Sequence, residues 1–201
     1  MNSIPRLILV SKSPRRRALL KQAGLRFRAV SADTDETADP RLSPALNAIR
    51  IAEKKARAVE KKHPHDLLVS ADTIVVLGNK IFGKPGSAAD AFRMLKCLSG
   101  KTHEVITGVA LLGPLRNGTR KAVRFFESTK VFFDPVPDQA ARYYIRHYKP
   151  FDKAGAYAIQ EWIGTRYINK ITGDYNNVMG FPVKRIINII HKIFPDTGQT
   201  I

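Results

Sequence analysis

The apolar run Leu7-Ile8-Leu9-Val10 is followed within three residues by Ser13-Pro14, and this junction constrains the fold more than any other segment. Four apolar residues bounded by polar ones read as a buried strand. Ser13 is a good N-cap and Pro14 suits the first helical position, where a backbone N–H would be unpaired anyway, so the chain is expected to turn straight from strand into helix. The turn carries Arg15, Arg16 and Arg17. Free N–H groups and the positive end of the helix dipole favour an anion there, and Arg15 and Arg16 add forked donors that match phosphate oxygens. A phosphate-rich ligand is one reading; three solvated arginines on a strand–helix turn is the other.

Further along, the pattern alternates. A helix is expected from about Pro14 to Ala23 with Gly24 just past its end, then a strand from Phe27 and an acidic loop from Ser31 to Arg41. A long helix opens at Ser43-Pro44 and continues toward Lys62, with Leu46, Ile49, Ala52, Ala56 and Val59 at helical spacing. Leu67–Ala71 reads as a strand that ends at Asp72. Ile74–Leu77 and Ile81-Phe82 form a hairpin around Gly78-Asn79. A helix from Ser87 to Leu98 stops at Gly100, and strands follow near Glu104–Leu112 and Arg124–Phe133 with a turn at Asn117-Gly118. A helix over Asp138–Tyr148, a glycine-bearing loop and strand region, a strand at Arg166–Ile171 and a helix from Pro182 to Ile193 complete the reading. Alternating helices and strands place the chain in the α/β class, and the hairpins call for a mixed sheet.

At 201 residues and 44% hydrophobic content the chain can bury a proper core within one domain. Its apolar stretches are too short for a membrane span and the N-terminus lacks signal-peptide features, so a cytoplasmic protein is expected. The single cysteine, Cys97, falls beside Phe92, Leu95 and Leu98 and is expected to be a packed thiol. The net charge of +17 implies attraction to polyanions. Its pairs, Lys54-Lys55, Lys61-Lys62, Arg120-Lys121 and Lys184-Arg185, are scattered, so a nucleic-acid partner is permitted but not favoured.

Several residues could carry chemistry. Asp72, at the expected strand end and without an obvious ion-pair partner, is a candidate general base or metal ligand, or a cap for the next turn. Asp35 and Glu36 lie in an acidic cluster that could contribute oxygen ligands to Mg²⁺ or Mn²⁺, or could be a solvated turn. Lys55 is read as lying off the apolar stripe of its helix, where Lys54 or Lys61 look equally suitable. Lys84, between Gly83 and Pro85, is a better-placed phosphate contact. Cys/His metal spacing, a P-loop and a Gly-x-Ser-x-Gly elbow are all missing from the sequence, which leaves kinase, P-loop and serine hydrolase readings unsupported.

Five ordered blocks join these residues: Ser11-Lys12-Ser13-Pro14-Arg15-Arg16, Ser70-Ala71-Asp72-Thr73, Gly83-Lys84-Pro85, Asp152 through Gln160, and Gly173 through Pro182. Together they resemble the Maf family of nucleoside triphosphate pyrophosphatases from about residue 7 to about residue 193. The resemblance implies a Maf/ITPase-like fold, an elongated mixed sheet flanked by helices in two lobes with the active cleft between them, spanning the chain as one Maf-like domain. It implies a divalent metal cofactor, Asp72 as catalytic carboxylate and metal ligand, Glu36 as its companion ligand, and Ser13, Arg15, Arg16, Lys55, Lys84 and Lys153 as substrate contacts. Arg15, Thr73 and Gln160 match the branch acting on dTTP and UTP rather than the one acting on 7-methyl-GTP. Homodimers are common in that family, with no contact surface identified by this sequence. Two positions depart from the pattern: Tyr148-Lys149-Pro150-Phe151 stands where Gly-Glu-Pro is common, and Glu161-Trp162 follows Gln160 where glycine is frequent. Two rivals stay open: a nucleic-acid-binding or division-regulating protein, and a pyrophosphatase for damaged or other nucleotides.

Overall fold

The computed structural model describes residues 5–115 and 119–194, so the expected Asn117-Gly118 turn lies outside the described residues. Its elements are β1 (Leu7–Val10), α1 (Pro14–Gln22), β2 (Phe27–Val30), α2 (Pro44–Glu60), β3 (Leu67–Leu77), β4 (Lys80–Phe82), α3 (Ala88–Leu98), β5 (Thr102–Pro114), β6 (Arg120–Phe133), α4 (Asp138–Tyr148), a 3-10 turn (Ala154–Ala156), α5 (Trp162–Tyr167), β7 (Ile168–Thr172), α6 (Tyr175–Val178) and α7 (Val183–Ile193). Among the described residues seven strands form one sheet in the order β2-β1-β3-β5-β6-β7, with β4 paired to β3. β1 runs parallel to both β2 and β3, whereas β4 and β7 pair antiparallel with β3 and β6, so the α/β class and the mixed sheet are both present. Among the described residues no helix is long and apolar enough to cross a membrane.

The expected helix starts hold because their signals are local. The hydroxyls of Ser13, Ser43 and Ser87 accept from the N–H groups of Arg16, Leu46 and Asp90, which satisfies donors that an uncapped first turn would leave orphaned. Two expectations need correction. The strand at Leu67 does not end at Asp72 but continues unbroken to Leu77, because Ser-Ala-Asp-Thr contains no glycine or proline to break it. The segment Trp162–Tyr167 is helical rather than extended, with Arg166 in α5 and the strand beginning only at Ile168. The Asp138–Tyr148 helix, by contrast, ends where expected: Lys149 adopts a left-handed φ of 46° and its N–H donates to the carbonyl of Ile145.

The described residues form two compact units, one of residues 5–72, 107–115, 119–127 and 180–194, the other of Thr73–Ile106 and Ser128–Met179. In the first, Ile8, Val10, Leu68, Ala110 and Leu112 pack with Ala52, Ala56 and Val59 of α2. Small residues on the helix let it lie close to the sheet, and Gly108 of β5 takes this to the limit: a Cβ there would sit 2.2 Å from the carbonyl carbon of Ala48. Glu53 pairs with Arg57 and Arg124, and Glu60 with Arg57 and Arg120, which ties β6 to the outer side of the same helix.

The core of the second unit includes Val75, Leu95, Leu98, Val131, Phe133, Tyr144 and Tyr157, with Cys97 packed against it as a partly buried free thiol. His103 lies inside this core, its Nε2 2.7 Å from the hydroxyl of Tyr157 and its ring edge-on to Phe133. Burial lowers its pKa to about 4 from 6.5. The unfolded chain therefore binds a proton between those two values that the folded chain does not, so stability falls as pH drops from about 6.5 to about 4. About 3 kcal/mol of stability is expected to be lost across that window. Chemical denaturation at a series of pH values should show a shallower acid limb for His103→Gln; an unchanged limb would assign the loss elsewhere.

Candidate active site

Alternation along β3 puts Ser70 and Asp72 on the face covered by α2, where Ala52 and Lys55 stand one helical turn apart. The Ser70 hydroxyl donates to the carbonyl of Ala52 at 2.6 Å, and Lys55 Nζ donates to Asp72 Oδ1 at 2.8 Å. Lys55 also pairs with Glu36 Oε1 at 3.0 Å. The expectation that Lys55 lies off the apolar stripe is thus wrong: it is 9% exposed, in line with Ile51, Ala52 and Ala56, and only its terminal ammonium reaches the carboxylates. The choice among neighbouring lysines follows. Lys54 is exposed and pairs with Asp35 instead, and Lys61 is exposed beyond the helix end. Asp72, read as lacking an ion-pair partner, has one.

The N-terminus of α1 closes on the same group. Arg16 donates from Nε to the carbonyl of Gly180 at 2.8 Å and from Nη1 to that of Ala71 at 2.7 Å, one residue before Asp72. Its pKa falls to about 10 because burial strips its hydration; Asp72 opposes this, Arg15 reinforces it and Glu36 opposes it, and the group stays cationic at neutral pH. Arg15 is half-buried beside it. Ser13 caps the helix, and its own N–H donates to the hydroxyl of Ser11 at 3.1 Å. Ser11, which the sequence reading did not single out, also accepts from Arg16 Nη1 at 3.4 Å; its signal was a second hydroxyl two residues before the cap.

Asp72 and Glu36 bring carboxylate oxygens to one ammonium, whereas Asp35 is not drawn in: it accepts from the N–H and hydroxyl of Thr37 and from Lys54, and these bonds hold its carboxyl down at about 2. Among the described residues no group of three or more His, Cys, Asp or Glu side chains is placed to hold a metal ion. Two carboxylates nonetheless fit a hard divalent cation of the Mg²⁺ type, which keeps several waters and completes its shell with substrate phosphates.

The remaining expected residues belong to the second unit. Thr73 is half-buried, next to Asp72 along β3. The Gly83-Lys84-Pro85 and Asp152–Gly155 blocks are neighbours, because the N–H of Gly155 donates to the carbonyl of Gly83 at 3.0 Å. Gly155 has φ +69° and its missing Cβ would meet Val75 at 3.0 Å, so a side chain there would be both strained and crowded. Lys84 is exposed, and Gln160 is exposed at the end of the buried run Gly155–Ile159. Lys153 is buried, with Nζ 2.8 Å from Asp152 Oδ1 and 3.3 Å from Glu161 Oε1.

The block from Gly173 to Pro182 serves a mostly structural purpose. Asn177, fully buried, donates to the carbonyl of Val105 and to the hydroxyl of Thr129, and that hydroxyl in turn bonds the backbone of Asp174. The block then reaches Gly180, whose carbonyl holds Arg16.

The chain as a whole is similar to several named proteins. A Cytophaga hutchinsonii relative carrying the name dTTP/UTP pyrophosphatase is 44% identical over 188 residues, covering 94% of this chain and 84% of its own. One from a Geobacter species with the same name is 44% identical over 188 residues, covering 93% and 95%. A Chlorobaculum tepidum relative, again so named, is 40% identical over 202 residues, covering 98% and 100%. The family model described as Maf-like protein matches residues 6–193, a span that contains all five blocks, and the chain belongs to that family.

Proposed function

We propose that this chain hydrolyses dTTP and UTP to the monophosphate and pyrophosphate, in keeping with the activity that its relatives' names carry. The observation that carries the reading is the convergence of Asp72 and Glu36 on the buried Lys55 ammonium, one residue from the carbonyl that anchors Arg16. Breaking the bond between α- and β-phosphates requires cations for the phosphate charge and a base for water. Arg15 and the α1 N-terminus supply the first, with Lys55 and Lys84 as further point charges; Arg16 gives two of its donors to carbonyls and holds the cradle in shape. Asp72 accepts the proton of the attacking water or, with Glu36, holds the metal. That metal, when bound, would offset phosphate charge and make water more acidic. Thr73 and Gln160, neutral groups able to donate and accept, read the base edge. Lys153, paired with Asp152 and Glu161 much as Lys55 is with Asp72 and Glu36, joins the other two lysines as a point charge and also holds its own turn.

Pyrophosphate release from dTTP, UTP, CTP, GTP, 7-methyl-GTP and ITP with Mg²⁺ or Mn²⁺ tests this. Turnover confined to dTTP and UTP is expected. Turnover of a different nucleotide would keep the hydrolysis and overturn the base assignment, and no turnover would return the basic surface and a polyanion partner to the front.

A further inference from the structure

Glu161 directly follows Gln160, and its side chain is engaged on both oxygens. Tyr144, fully buried in α4, donates its hydroxyl to Glu161 Oε2, and Lys153 approaches Oε1 at 3.3 Å. The same residue begins α5: its carbonyl accepts from the N–H of Thr165 at 3.0 Å, and its own N–H donates to the carbonyl of Ala158 at 3.2 Å. On the far side, Gly164 lies so close to Ile159 that a Cβ would sit 2.1 Å from the Ile159 carbonyl oxygen. The turn Ala158–Glu161 is therefore clamped from a core tyrosine, from a buried lysine and from the first turn of α5. Gln160 is its one exposed member.

We propose that Glu161 is a positioning residue for base selection, holding the turn through Tyr144 and Lys153 so that Gln160 presents its amide in one orientation. A clamp of this kind is how a scaffold fixes a recognition group within a fraction of an ångström, and slight misplacement of a positioned group costs large factors in rate. The inference rests on the proposed hydrolysis of dTTP and UTP and on Gln160 as base reader.

The test measures kcat and KM for dTTP and CTP in wild type, Glu161→Gln, Tyr144→Phe, Gln160→Ala and the Gln160→Ala/Glu161→Gln double variant, with a melting curve for each. Glu161→Gln weakens the grip on Lys153, and Tyr144→Phe removes one hydroxyl while keeping the packed ring, so a fold-preserving variant is available if the first is unstable. The preference for dTTP over CTP in kcat/KM should shrink by about tenfold in both, mainly through a higher KM for dTTP. In the Gln160→Ala background, Glu161→Gln should change the preference no further. Folded variants that keep the wild-type preference, or a Glu161→Gln effect equally large without Gln160, would overturn the positioning role while leaving the hydrolase reading intact. A wild type that turns over neither nucleotide would instead sink the hydrolase reading, and this one with it.

Discussion

Asp72→Asn is expected to lower pyrophosphate release from dTTP by about a thousandfold or more, in the upper part of the range for loss of a positioned proton acceptor. The substitution changes little else. Asparagine keeps the volume and still offers an oxygen to Lys55 Nζ, now 2.8 Å from the carboxylate, and Lys55 retains Glu36 at 3.0 Å. What disappears is the negative charge, and with it both routes by which this residue can serve the reaction: taking a proton from water and holding a hard cation. The cationic cradle around Arg15, Arg16 and the α1 terminus remains, so dTTP should still bind, as equilibrium dialysis or calorimetry can check. Loss of kcat with binding kept is the expected split. A correctly folded Asp72→Asn with near-normal turnover would show that the base lies elsewhere, and loss of binding together with turnover would point to a role in the ground state.

Gly108→Ala should destabilise the protein by about 3 kcal/mol or more, the high end for an added methyl in a packed interior. The reason is the identity of the atoms in the way. A Cβ would fall 2.2 Å from the carbonyl carbon of Ala48, 2.3 Å from the nitrogen of Ile49 and 2.5 Å from the oxygen of Ala48, all of them backbone of α2. A side chain could rotate aside; a helix backbone can only translate. Thermal unfolding should show a midpoint lower by about 10 °C for a chain of this size. Because α2 also carries Lys55, its displacement would pull the ammonium away from Asp72, and activity should fall at temperatures well below the new midpoint. A melting curve equal to wild type would mean that β5 and α2 can separate freely, contrary to the packing of Ala52 and Ala56 on the sheet.

The two predictions differ in how far the sequence alone reaches. Asp72 is visible from its motif, although its setting in the middle of an eleven-residue strand is not. Gly108 carries no local signal, because its constraint comes from a helix about sixty positions earlier in the chain. The same contrast separates Arg15 from Arg16: both are legible as donors at a helix N-terminus, yet only the fold shows that Arg16 spends its donors on the carbonyls of Ala71 and Gly180. Glu161, legible only as a departure from a pattern, acquires meaning from Tyr144 and Lys153.

The sequence by itself determined what interactions within a few residues can enforce. The serine caps at Ser13, Ser43 and Ser87, the Gly78-Asn79 hairpin and the limits of the Asp138–Tyr148 helix all follow from hydrogen bonds closed over one turn, which hold whatever surrounds them. The tertiary structure alone decided which lysine meets Asp72, which arginine gives its donors to distant carbonyls and which glycine admits a helix. Those outcomes depend on burying apolar surface and on pairing charges between segments 17 to 164 residues apart. Residues that look equivalent along the chain, such as Lys54 and Lys55, differ only in the side of a helix that the sheet covers.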